Sequence, residues 1–102
     1  MATETVTKEL PVWISDLDGD GVTVQLSVKA SINSVEVDSL RMRSPTLAEV
    51  RKVQKMNKGD ADAVELNLFA SLCDAPPADI SALKMKDYNR LNIAYFRMVE
   101  ED

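Results

Sequence analysis

A change of hydrophobic period near Pro45 constrains this chain more than any other feature. From Gly21 to Ile32 apolar and polar residues alternate, placing Val22, Val24, Leu26, Val28, Ala30 and Ile32 on one face. Period two is the mark of a strand with one buried side. A second run, Val35 to Met42, opens on the same alternation at Val35 and Val37, but its apolar positions then shift phase to Leu40 and Met42. A bulge or bend near Asp38-Ser39 is therefore expected. Only Asn33-Ser34 separates the two runs, which reads as a hairpin link. Ahead of them, Leu10-Pro11-Val12-Trp13-Ile14 is expected to add a third strand at an edge, where a proline is tolerated.

Beyond Pro45 the period is helical. Ser44 or Thr46 can cap a first helix, Pro45 suits its opening turn, and Thr46-Leu47-Ala48-Glu49 fits a capping box. Leu47, Val50, Val53 and Met56 fall on one half of its wheel, and Arg51, Lys52, Lys55 and Lys58 on the other. Lys58-Gly59-Asp60 ends it. A second helix, about Ala61 to Cys73, is apolar nearly all round through Val64, Leu66, Leu68, Phe69, Ala70 and Leu72. Such a helix is buried, either in its own core or against another chain. Asp74-Ala75-Pro76-Pro77 breaks it, and Pro77 to Leu83 forms one short turn. The last helix, near Lys86 to Val99, gathers Tyr88, Leu91, Tyr95, Met98 and Val99 on one arc, with Ile93 and Phe96 pointing away from it.

Strand and helix signals are segregated, so the fold class is α+β. A small antiparallel sheet is expected over about residues 9–43, three to four short helices over 44–99, and an acidic tail at 100–102. All of this belongs to a single domain of residues 1–102. A chain of this length buries roughly 60–65% of its unfolded surface, a modest core.

Composition narrows the function. There is no histidine, which removes the commonest general base and the usual metal ligand. The single cysteine, Cys73, has no internal partner, which fits a reducing cytoplasm, and without a histidine it reads as a small buried hydrophobe. No cofactor and no enzymatic activity are expected. No apolar run approaches the ~20 residues that cross a bilayer, and Met1-Ala2-Thr3-Glu4-Thr5 lacks the basic and apolar regions of an export signal. The net charge is −5, unevenly spread. Residues 41–58 hold six cations against Glu49 alone, a local net of +5, which leaves −10 on the remainder. Such asymmetry favours contact between copies or docking of an acidic helix; an ordinary solvated helix face gives the same pattern. Nucleic-acid binding is not expected, because no stacking aromatics lie among those cations in an acidic chain.

Two motifs compete with plainer readings. Asp16, Asp18 and Asp20 within Asp16-Leu17-Asp18-Gly19-Asp20-Gly21 match the opening of a calcium loop. The position that should hold a bidentate Glu is Ser27, and a strand follows where a helix is needed, so a turn between strands is preferred and no metal is expected. Ile93 and Phe96 mark a binding surface if they lie outside the core stripe. Leu68, Phe69, Leu72 and the Arg51, Lys52, Lys55 face are further candidates for partner contact. Tyr88 and Tyr95, seven residues apart on one face, read as core.

From Ile32 to Val99 the chain resembles the small tail assembly chaperones of Mu-like and related contractile-tailed bacteriophages. The resemblance rests on Ile32-Asn33-Ser34-Val35-Glu36-Val37, on Leu40-Arg41-Met42-Arg43-Ser44-Pro45-Thr46, on Leu47 to Met56 and on Leu66 to Cys73. It continues through Leu83, Asp87-Tyr88 and Leu91 to Tyr95, so that Arg43, Pro45, Thr46, Tyr88, Leu91 and Tyr95 carry the family pattern. The residues before Ile32 are an extension outside that pattern, and Asn33-Ser34 stands where the family usually has Asn-Gly. The resemblance implies an assembly factor in the host bacterial cytoplasm, absent from the mature virion. It would hold the long helical tape measure protein soluble until tail tube subunits displace it, and many such families also make a longer frameshifted form. A small structural tail or baseplate adaptor, retained in the virion, is the alternative.

Overall fold

The computed structural model describes residues 10–100. Three strands come first: β1 (Ile14–Ser15), β2 (Gly21–Ile32) and β3 (Val35–Arg43). Four helices follow: α1 (Leu47–Met56), α2 (Ala61–Leu72), α3 (Pro77–Ser81) and α4 (Met85–Val99). The sheet is antiparallel in the order β1-β2-β3. This is the α+β arrangement that the segregated periods require. Expectations for residues 1–9 and for the tail at 101–102 lie outside the described residues.

β1 is shorter than the strand expected from Leu10, and Pro11 is the reason. Its carbonyl accepts the Ile14 N–H at 3.0 Å, which closes a turn, and pairing begins only with Ile14 opposite Val24. β2 and β3 pair from Gly21↔Arg43 to Gln25↔Ser39, then from Ala30↔Val37 to Ile32↔Val35. Leu26 to Lys29 therefore face Asp38 alone. This irregularity lies across from the Asp38-Ser39 site where the phase of β3 slips, but the extra residues belong to β2. Because their excess is odd, β2 keeps its phase while β3 changes the face it turns inward. Val28, expected on the inward face, falls within this segment and is exposed.

Asn33 and Ser34 both have left-handed backbone, φ 53° and 66°, the hand that matches strand twist in a two-residue hairpin. Asn33 is tied down by its N–H to Asp79 Oδ2 at 2.9 Å and by its side-chain amide to the Asp74 carbonyl at 3.2 Å. Gly21 is required by close approach, since a Cβ there would run into the Met42 carbonyl oxygen.

One core joins the sheet to the helices. Val22, Val24, Leu40 and Met42 meet Leu68, Phe69 and Leu72 of α2, Ile80 of α3, and Leu91 and Ala94 of α4. Phe69 lies between Tyr88 and Tyr95, its ring centroid 5.6 and 5.4 Å from theirs. Each large side chain so buried contributes about 1.5–3 kcal/mol. α2 is capped by Asp60, which accepts the Ala63 N–H. It ends where Asp74 turns left-handed at φ 53°, with Ala75 N–H on the Ala70 carbonyl and Asp74 N–H on the Ser71 carbonyl. That pair of bonds closes off the helix C-terminus. α2 thus buries Leu68, Phe69, Ala70 and Leu72 inside its own chain, while Val64 and Leu66 stay half-buried.

Candidate partner-binding site

The Asp/Gly loop spends its polar atoms on itself. Asp18 Oδ1 accepts the Asp20 and Gly21 N–H groups at 2.8 and 3.1 Å and Arg41 Nη2 at 3.1 Å. Arg41 Nη1 also donates to the Asp16 carbonyl at 2.8 Å and Thr23 Oγ1 at 3.2 Å. The Asp20 amide above all, then the Gly21 amide and the guanidinium, hold the Asp18 carboxyl below its ordinary value. The arginine brings the positive charge that a calcium reading assigns to a metal. Among the described residues no group of three or more His, Cys, Asp or Glu side chains is arranged to hold an ion. Asp16, Asp18 and Asp20 build a turn.

The Arg43–Thr46 motif builds a joint. Thr46 Oγ1 accepts the Glu49 N–H and Glu49 Oε1 accepts the Thr46 N–H, each at 3.2 Å, so the capping box is complete. Arg43 donates to both oxygens of Glu49, at 3.4 and 3.0 Å, and to the Ser71 carbonyl of α2 at 3.2 Å. One guanidinium therefore links the end of β3, the start of α1 and the end of α2. The Arg43 hydrogen bond, then the Thr46 amide, hold the Glu49 carboxyl below 4.5, and Glu49 raises Arg43 in return. Pro45, expected in the opening turn of the helix, instead precedes the Thr46 cap in the link from β3, because Thr46 and not Ser44 caps α1.

α1 itself is barely covered. It has no buried residue; Val50 and Val53 are half-buried, while Leu47 and Met56 are 67% and 73% exposed. Amide side chains hold it to α2, with Asn57 Nδ2 on the Val53 carbonyl and Asn67 Nδ2 on Asn57 Oδ1. Between α1 and α2 runs a groove of about 420 Å³ lined by Glu49, Lys52, Val53, Met56, Asn57, Asn67 and Ser71. Of the basic face only Lys52 lines this groove; Arg51, Lys52 and Lys55 are all exposed and make no ion pair among the described residues. The wheel of α1 places Leu47, Val50, Val53 and Met56 on one half, but only Val50 and Val53 are half-covered. It gave no sign that this half stays partly open.

α4 is presented differently, on a rigid mount. Asp87 Oδ1 accepts the Ser27 N–H of β2 at 2.7 Å, and Arg90 Nη1 donates to the Gln25 carbonyl at 2.8 Å. These two side chains, one turn apart, take over the β2 edge where β1 ends. The Arg90 guanidinium also lies 5.2 Å from the Trp13 ring centroid. On the far side Glu65 of α2 accepts the Tyr88 hydroxyl at 2.6 Å and the Asn92 amide at 3.2 Å. Burial and the adjacent Glu65 carboxylate keep that tyrosine protonated far above its ordinary value. With Leu91 and Ala94 buried, the opposite face shows Ile93, Phe96 and Val99 at 44%, 60% and 46% exposure. Phe96 stacks edge-on against Tyr95 at 5.8 Å, which connects it to the core aromatics. Val99, which its wheel angle puts on the core arc, is 46% exposed and lies outside the core cluster.

Other candidates belong to the interior. Leu68, Phe69 and Leu72 are buried by the sheet and by α4, and are not surface contacts of the folded chain. The family-pattern residue Leu91 is fully buried, and Tyr88 and Tyr95 pack on Phe69. Cys73 is buried, and desolvation, with help from Asp74, pushes its thiol up to about 12, so it is a protonated core side chain. Asp87 and Arg90, which hold α4 to the strand edge, were invisible to apolar periodicity. Only their one-turn spacing on a helix following a strand could have drawn attention to them.

The model of a family described as phage tail assembly chaperone proteins, E, or 41 or 14, matches residues 23–100. The chain belongs to the phage tail assembly chaperone family. No curated protein and no solved structure matches it. For this chaperone the matched span begins inside β2 and ends just after α4, so both the Arg43 joint and the exposed face of α4 lie within the family region. The Asp/Gly loop lies before it.

Proposed function

We propose that this chaperone serves a Mu-like, contractile-tailed phage and binds its tape measure protein through the Ile93, Phe96 and Val99 stripe of α4. It holds that chain soluble in the host cytoplasm, without catalysis, and is released before the virion is complete. A tape measure exposes long apolar helical stripes, and an apolar row on a fixed helix is the complement that could mask one reversibly. The observation that carries the reading is the stripe itself, open on a helix whose opposite face is locked to β2 and α2. Arg51, Lys52 and Lys55 assist by steering, since exposed charges act on association rate more than on affinity.

Full burial of an isoleucine and a phenylalanine contributes roughly 3–5 kcal/mol. About half of that surface is already covered here, so docking adds roughly 1.5–2.5 kcal/mol before ordering costs. Co-expression of the tape measure with wild type and with an Ile93→Ser, Phe96→Ser variant tests this. Wild type should keep the tape measure soluble, and the variant, folded by circular dichroism, should not. Equal rescue by both would remove the stripe from the account, and failure of wild type under conditions that support tail assembly would remove the chaperone–tape measure pairing. Finding the protein at stoichiometric levels in purified virions would favour the structural adaptor.

A further inference from the structure

Two further surfaces, one of which the tape measure reading uses only for steering, carry opposite charge. The outer row of α1 runs Leu47, Arg51, Lys55 and, just past its end, Lys58, spaced so that each stands one turn above the last. All four are exposed, and the three cations make no ion pair among the described residues. The second surface is a groove of about 280 Å³ between α2 and the α3–α4 link. Its rim carries Asp62 and Glu65, its wall Leu66, Leu83 and the exposed Met85, and no cation lines it. Glu65 is fixed in place by Tyr88 and Asn92.

The two surfaces cannot meet within one molecule. α1 packs against the side of α2 that carries Asn67 and Ser71, where their shared groove lies. At 100° per residue, Asp62 and Leu66 fall on the opposite side of α2. Ten residues of amphipathic helix with nothing buried, and an acid-rimmed apolar groove facing away from it, are complementary only between copies.

We infer that the basic row of α1 on one molecule docks into the Asp62–Glu65 groove of the next. Leu47 supplies the apolar contact and Arg51 and Lys55 the charge. Because the two surfaces differ, the contact is heterologous, and it builds a ring or an open row of copies rather than a closed two-fold dimer. The inference is independent of which partner α4 binds.

Sedimentation velocity on the full chain tests it with Lys55→Glu, Asp62→Lys and the two combined, each checked for native circular dichroism. Wild type should show concentration-dependent species larger than a monomer at low salt, and these should shrink as added salt screens the contact. Each single reversal should weaken association by about tenfold or more. The combined variant restores an opposite-charge pair and should recover association. A wild type that stays monomeric at high concentration and low salt overturns the inference. So does a combined variant no better than the singles. Association that survives both reversals but is lost in Ile93→Ser, Phe96→Ser would assign self-contact to α4 and overturn it as well.

Discussion

α1 and α4 are both amphipathic helices with an apolar row and a polar row, yet the fold treats them in opposite ways. α4 buries Leu91, Ala94 and the Asp87 carboxylate, and it holds the β2 edge through Asp87 and Arg90. α1 buries no residue fully: Val50 and Val53 pack half-covered against the core, and one arginine and a short amide ladder hold the helix there. A wheel tells which face of a helix is apolar but not what covers it. Cover is decided by where the preceding turns aim the helix, and here the Arg43 joint sets α1 against α2, away from the sheet.

That contrast is broken most directly by truncating matched positions. Leu91→Ala should cost about 3 kcal/mol in urea unfolding, because it empties a site enclosed by sheet and helices. Val53→Ala on α1 should cost under about 1 kcal/mol, as the half-open groove loses little packing. Similar losses at the two positions would mean that α1 belongs to the core after all.

Asp87→Leu comes next. It strands the Ser27 N–H at the strand edge, at about 1–3 kcal/mol. Part of that is returned, since Asp87 Oδ2 is buried without a hydrogen-bond partner. Amide exchange at Ser27 should accelerate far more than exchange elsewhere in β2. Unchanged protection at Ser27 would show that α4 does not secure this edge.

Arg43→Ala should act locally. Global stability should fall by no more than about 1 kcal/mol, as for partly exposed ion pairs. Exchange protection in α1 should collapse while that in α4 persists. Uniform loosening of both helices would erase the distinction between them.

The smallest expected effect is on pH. The Glu49 carboxyl is depressed in the folded chain below 4.5, first by Arg43 and then by the Thr46 amide. A depressed carboxyl stabilises fully above its unfolded value and loses that contribution as pH falls through its folded value. The gap in α1 protection between wild type and Arg43→Ala should therefore be full near neutrality and narrow as pH falls from 4.5 through the lower folded value. A gap that stays constant down to strong acid would mean that Glu49 is not what Arg43 holds.

The parts of this fold legible in the sequence are those governed by local rules. Period two gave β2, the Thr46–Glu49 box gave the start of α1, and Pro76-Pro77 gave the break after α2. The phase slip in β3 was readable as a bulge, but its residues were assigned to the wrong strand, because alternation within one strand cannot say which neighbour absorbs the excess. Of the candidate site, Ile93 and Phe96 were legible as a pair off the core arc. Val99 was not, because its wheel angle puts it on the core arc. Leu68, Phe69 and Leu72 were offered to a partner because an all-round apolar helix looks the same whether its own chain or another encloses it. Asp87 and Arg90 were missed because their partners are backbone groups some sixty residues away, which no local pattern encodes.

In the proposed reading the open stripe of α4, not the open groove of α1, receives the tape measure. Calorimetric titration of a tape measure fragment into two folded variants, Ile93→Ser, Phe96→Ser and the groove-lining Val53→Ser, Met56→Ser, separates them. The α4 variant should lose binding by about tenfold or more, the share of roughly 1.5 kcal/mol or above, while the α1 variant should bind within a few-fold of wild type. Loss of binding in the α1 variant with full retention in the α4 variant would contradict it.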